Sequence, residues 1–171
     1  MKTLLYKQLR LACHPMTPVF CLSGIMLLIP NYPYSVAFFY VTLGLFFTFL
    51  NMREQKDIYY SALLPLRKRD TVRAAVAFTV LVELLSVVIT ALFCLLSAKL
   101  QPGKDNAVGM DANLMFLGAG FMLYGVFNLV FFVCLYRSGY KVGAAYLKAN
   151  LALWPMMLLA EALPHFPSLV W

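Results

Sequence analysis

An all-α, polytopic membrane protein forming a single transmembrane domain over residues 1–171 is the fold class this sequence predicts, and three observations predict it. Hydrophobic residues make up 63% of the chain and charged residues 12%, with a mean hydropathy of +0.79. That is too little polar surface to cover a globule of this size in water. The apolar residues fall in runs near the about 20 residues that a transmembrane helix needs, and roughly five such runs fit. The bases gather in the short polar stretches between the runs, as in a chain oriented by positive charge.

Residues 1–14 read as a helix lying in the membrane interface, with Leu5, Leu9 and Ala12 on one face and Thr3, Lys7 and Arg10 on the other. His14, Pro15 and Pro18 end it. A basic start before an apolar run imitates a signal peptide, but no small-residue cleavage site follows, so the segment is expected to stay in the mature structure. Residues 17–30 form a short first span, and Pro30, Asn31, Tyr32 and Pro33 turn the chain into a second over residues 35–52. The third span covers 74–98, the fourth 114–136 and the fifth 149–163. Tyr and Trp near several ends suit the headgroup belt. No internal repeat or low-complexity tract interrupts this order.

The bases set the orientation. Lys2, Lys7 and Arg10, then Arg53, Lys56, Arg67, Lys68, Arg69 and Arg73, then Arg137, Lys141 and Lys148 fall on one side, with Lys99 and Lys104 on the other. The N-terminus and the loops 53–73 and 137–148 are therefore expected in the cytoplasm, the loop 99–113 outside, and Trp171 outside after an odd number of spans. The net charge of +7 would suggest nucleic acid in a soluble protein, whereas here topology accounts for it and no nucleic-acid partner is expected.

Several chemistries lack their residues. Cys13, Cys21, Cys94 and Cys134 form no CxxC pair and read as free packing thiols. Gly103 and Lys104 lack the upstream glycine and following Ser/Thr of a phosphate-binding loop. No HExxH, no G-x-S-x-G and no carboxylate pair near a histidine is present; His14 and His165 read as interfacial polar residues. The chain is thus expected to hold no metal or cofactor and to be no enzyme, since no convergent acid, base and nucleophile set is visible.

The loop 53–73 has a pattern beyond charge. Ile58, Tyr59, Tyr60, Ala62, Leu63 and Leu64 form a compact apolar segment, punctuated by Pro65 and followed by Arg67, Lys68, Arg69 and Asp70. Two readings stand: a soluble partner grips this element, or the loop lies on anionic lipid.

The order of an interfacial helix, two spans and a charged loop carrying Asp57, Tyr60, Ser61, Leu64, Pro65, Arg67, Lys68, Asp70 and Val72 resembles the small permease subunits of bacterial type-2 ABC transporters. A weaker likeness is the turn from Leu135 to Lys141, with Tyr136 and Gly139. The resemblance implies a permease of an exporter in the bacterial cytoplasmic membrane. It implies two partners, a cytoplasmic ATP-binding subunit that holds ATP and Mg, and a second permease subunit, identical or paralogous. It also implies that the first loop holds a coupling element docked in a groove of the ATPase, with Asp57, Tyr60, Leu64, Pro65, Arg67, Lys68, Asp70, Tyr136 and Gly139 at the contact. Family members generally have six spans and both termini inside, against about five here.

Within the membrane, Glu83 falls near the middle of the third span, where a carboxyl has to be neutral or paired. It either lines a substrate path or subunit interface, or is a neutral acid bonded between helices. Asn128 in the fourth span either packs across a helix contact or touches substrate. Gly118 and Gly125 share a face that admits close helix approach, and Glu161 falls near the outer headgroups with no assigned chemistry. The alternative to a transport subunit is a non-transporting membrane scaffold that recruits a cytoplasmic partner through the basic loop.

Overall fold

The computed structural model describes residues 2–65, 67–100, 106 and 108–162. Helix α1 (Lys2–Lys7) continues into a π-helical turn (Gln8–Ala12), and α2 (Met16–Cys21) runs into a 3₁₀ segment (Leu22–Leu28). Then follow α3 (Val36–Glu54), α4 (Asp57–Leu63), α5 (Lys68–Leu100), α6 (Leu114–Arg137) and α7 (Val142–Ala162). Among the described residues there is no strand.

Helices α3, α5, α6 and α7 are long and apolar enough to cross a bilayer. The chain is a helical, multi-pass membrane protein. The fifth candidate is bent: Thr3–Ala12 and Met16–Leu28 meet at 94°, because a residue before proline is pushed out of the helical region and His14 precedes Pro15. The second arm rises only about 23 Å, from the helical rises of its α and 3₁₀ parts, against a hydrocarbon core of about 30 Å. It is therefore shorter than a full straight crossing.

Glycine and hydroxyl contacts hold this short arm in place. A Cβ on Gly44 would sit 3.1 Å from the Thr17 Cα, and one on Gly24 would sit 3.0 Å from the Thr90 Cα, so α2 crosses α3, and the 3₁₀ segment crosses α5, backbone to backbone. Thr17 Oγ1 donates to the Gly44 carbonyl at 2.8 Å, and Ser97 Oγ donates to the Leu27 carbonyl at 3.1 Å. Leu27 lies in the last turn of its segment, where carbonyls lack helical partners.

Aromatic rings fill the centre. Phe38, Phe49, Phe78, Phe116, Phe127 and Phe131 are fully buried, with Phe38 against Phe116 at 4.9 Å and Phe49 against Phe131 at 5.1 Å between ring centroids. Leu85, Val88, Leu92 and Leu95 of α5 and Leu147, Leu151 and Leu158 of α7 point outward, as fits helices whose solvent is lipid.

Two expectations need correction. Most of the loop 53–73 is helix: α3 reaches Glu54, α4 occupies Asp57–Leu63, and Lys68 to Arg73 open α5. The loop 137–148 shrinks to four residues, because α7 starts at Val142. In the N-terminal helix, Gln8 and Ala12 are buried against the protein, while Leu9 is exposed, as a residue facing lipid would be. With its amide oriented to satisfy both partners, Gln8 donates to the Ala74 carbonyl at 2.7 Å and accepts from the Ala75 N–H at 3.3 Å. Gly103, Lys104, the expected span end at 163, His165 and Trp171 lie outside the described residues.

Candidate functional site

Helix α4 is set off from α3 by Gln55 and Lys56, with Lys56 in the left-handed region at φ 52°. Its position is braced from the far end of the sequence: Lys7 Nζ lies 2.5 Å from Asp57 Oδ1 and donates to Ser61 Oγ at 2.8 Å. Ser61 is buried. The opposite side of the segment shows Tyr59, Tyr60, Leu63 and Leu64 to solvent at 63, 60, 68 and 52% exposure. Leu64 is extended, as the residue before Pro65 should be. The Arg67 carbonyl then accepts from the Asp70 N–H at 2.9 Å and so opens α5. The side chain of Asp70, half-buried, makes a 4.0 Å pair with Arg73.

At the same end, α6 closes with a Schellman turn. The Tyr140 N–H reaches back to the Leu135 carbonyl at 2.9 Å and the Ser138 N–H to Cys134 at 2.9 Å. Gly139 stands at φ 65°, where the motif requires a left-handed residue. Tyr140 follows at φ 66°, uncommon for a residue with a bulky side chain. Burial pushes the Tyr140 phenol well above its ordinary pKa, and Tyr136 and Asp57 push it the same way.

These pieces line an open cavity of about 610 Å³. Of the residues predicted for partner binding, Asp57, Lys68, Tyr136 and Gly139 line it, together with Gln8 and Tyr140. Tyr60, Leu64, Pro65 and Arg67 stand instead on the exposed surface, and Asp70 is half-buried outside the cavity wall. The two sequence segments singled out are thus brought to one end, but as two layers, an inner pocket and an outer apolar ridge. Lys7 and Tyr140 belong to the site and were not singled out for it, and Ser61, one of the residues behind the resemblance, was given no contact role; their contacts across the fold place all three here.

Midway along the membrane, Glu83 is 4% exposed. Asn128 Nδ2 donates to its Oε2 at 2.7 Å. Glu83 Oε1, Asn128 Oδ1 and Thr79 Oγ1 have no hydrogen-bond partner among the described residues. One turn on, Ser86 and Tyr124 share a hydrogen bond of 2.8 Å. Polar groups of α5 therefore meet polar groups of α6 along one seam. Gly118 and Gly125 do not serve a contact within the chain, since a Cβ on either would meet nothing within 4 Å.

At the far end, Glu161 accepts from the Ser35 N–H at 3.0 Å with one oxygen and from the Met110 N–H at 2.8 Å with the other. It ties α7 to the start of α3 and to the loop before α6. The sequence signal was present, an acid in an apolar span, but its partners are backbone amides with no signature of their own. Among the described residues, no group of three His, Cys, Asp or Glu side chains could hold a metal, and all four cysteines are free.

The fold and these features define a helical multi-pass membrane protein with a structured polar site at its basic end and a bonded carboxyl at mid-depth. Compared with known protein families, curated proteins and solved structures, the chain matches none.

Proposed function

We propose that this chain is a membrane-spanning permease subunit of an ABC exporter, seated in a bacterial cytoplasmic membrane with its N-terminus and basic end inside. The observation that carries the reading is α4, a short helix between two spans whose exposed side is aromatic and aliphatic and whose inner side is pinned by Lys7. An apolar ridge on a braced helix is suited to seat in a groove of a separate ATP-binding subunit and to pass on that subunit's closure, because the brace ties α4 to the N-terminal helix. Tyr60, Leu64, Pro65 and Arg67 form the outer contact, while Asp57, Lys68, Tyr136 and Gly139 shape its support. ATP and Mg belong to the partner. A second permease subunit completes the path, and Glu83 and Asn128 supply its polar lining.

The test is to reconstitute the chain with its ATPase and substitute Leu64→Ala and Pro65→Ala together. Docking of the ATPase and transport are both lost, with insertion unchanged, and any ATP hydrolysis that remains is uncoupled. Coupled transport in that variant contradicts the reading. Loss of function confined to α4 variants, with Glu83→Gln and Asn128→Leu unaffected, identifies a scaffold that recruits its partner without forming a path.

A further inference from the structure

We propose that the cavity behind α4 binds the phosphate headgroup of an anionic phospholipid, with Lys68 as its cationic contact. This rests on the chain being a membrane protein and is independent of the exporter reading.

The cavity, at about 610 Å³, falls inside the about 300–1,000 Å³ range of small-molecule sites. Its charge is one-sided. Asp57 is the acid in the wall, and Lys7 from outside the wall neutralises it at 2.5 Å. Lys68 is the base in the wall and makes no ion pair among the described residues. An anion entering the cavity therefore meets an available ammonium and a carboxylate already paired.

The remaining wall is two-sided in chemistry. Thr71, Tyr136 and Tyr140 bring hydroxyls, while Met52, Ile58 and Val72 are apolar. A phosphate joined to a glycerol and acyl chain matches both halves, whereas a free phosphate leaves the apolar half unused. Location argues the same way. Met52 lies near the end of α3, Tyr136 at the end of α6 and Lys68 at the start of α5, so the cavity sits where spans leave the apolar layer and lipid phosphates are concentrated. Basic pockets between spans are an established means of holding anionic headgroups.

The experiment uses the full chain, delipidated in a neutral detergent and titrated with phosphatidylglycerol or phosphatidylcholine of the same acyl chains. Bound lipid is counted by native mass spectrometry, and the unfolding midpoint is followed in parallel. One phosphatidylglycerol is retained per chain and raises the midpoint, while phosphatidylcholine does neither. Lys68→Gln weakens retention about fivefold, the effect of one base near an anionic headgroup. Lys68→Arg preserves it, and Arg69→Gln, one residue away and outside the wall, leaves it unchanged. Ala62→Trp, which puts an indole into the cavity from a wall position on α4, abolishes retention and serves if Lys68→Gln fails to fold. Equal retention of the two lipids overturns the proposal, as does retention untouched by Lys68→Gln and Ala62→Trp. Equal loss in Arg69→Gln points to surface charge alone, and displacement by millimolar inorganic phosphate points to a free-anion site; either result also overturns it.

Discussion

Lys7 and Asp57 form an ion pair at 2.5 Å, and the same ammonium donates to Ser61, fifty-four residues from it in sequence. The N-terminal helix and α4 are therefore tied together through one side chain. Lys7→Gln removes the pair and leaves a mostly buried carboxylate without its partner. The cost is about 1 kcal/mol for a pair of this exposure, enough to speed amide exchange of α4 about fivefold. Hydrogen exchange measured over Asp57–Leu63 checks this, and unchanged rates would show that the brace carries no load.

Asn128 and Glu83 depend on one another. Asn128→Leu strips the carboxyl of its donor and should cost about 1–2 kcal/mol. The double substitution Glu83→Met with Asn128→Leu removes both polar groups and recovers most of that loss, because an apolar pair leaves nothing unsatisfied. Unfolding midpoints of the two single variants and the double variant give the coupling directly.

The glycines divide into two kinds. Gly44→Ala and Gly24→Ala press a methyl to 3.1 Å and 3.0 Å from a neighbouring backbone atom and should destabilise by about 1–3 kcal/mol. Gly118→Ala and Gly125→Ala enter open space and should stabilise α6 by up to about 1 kcal/mol through helix propensity. Thermal unfolding in one detergent separates the pairs. Destabilisation by the second pair would locate a contact with another chain on that face.

Glu161 clamps the far end. Glu161→Ala leaves two backbone N–H groups without their acceptor, at about 1–3 kcal/mol each where water is excluded. Glu161→Gln, with one acceptor oxygen, should lose about half as much. Gly109→Ala gives the same defect from the other side, since its Cβ would fall 1.7 Å from Glu161 Oε2. Protease access to residues 108–113 reports each of these.

The long apolar runs were legible because membrane spans announce themselves by composition. The starts and ends of α3 and α6 lie within two residues of the expected boundaries. The starts of α5 and α7 were placed six and seven residues late, because Lys68 to Arg73 and Lys148 are helical residues beyond the apolar stretch, and charge was taken for loop. The bend at Pro15 was legible, but the 3₁₀ winding of Leu22–Leu28 was not, since one turn of either helix places similar residues on a face. The gathering of Asp57, Lys68, Tyr136 and Gly139 around one cavity is tertiary, set by where α4 and the ends of α5 and α6 stand around it. Leu9 illustrates the limit of a helical wheel: its apolar face was visible, but lipid and protein compete for it and here Gln8 takes the protein side.

The most direct measurement is to purify the tagged chain from its native host in mild detergent and assay the isolated complex for stoichiometric subunits and ATP hydrolysis. The exporter reading requires an ATP-hydrolysing subunit at one copy per permease, lost when Leu64 and Pro65 are both changed to Ala while the chain stays folded. A folded chain that carries no ATPase, or one that holds it equally well after those changes, would contradict the role given to α4.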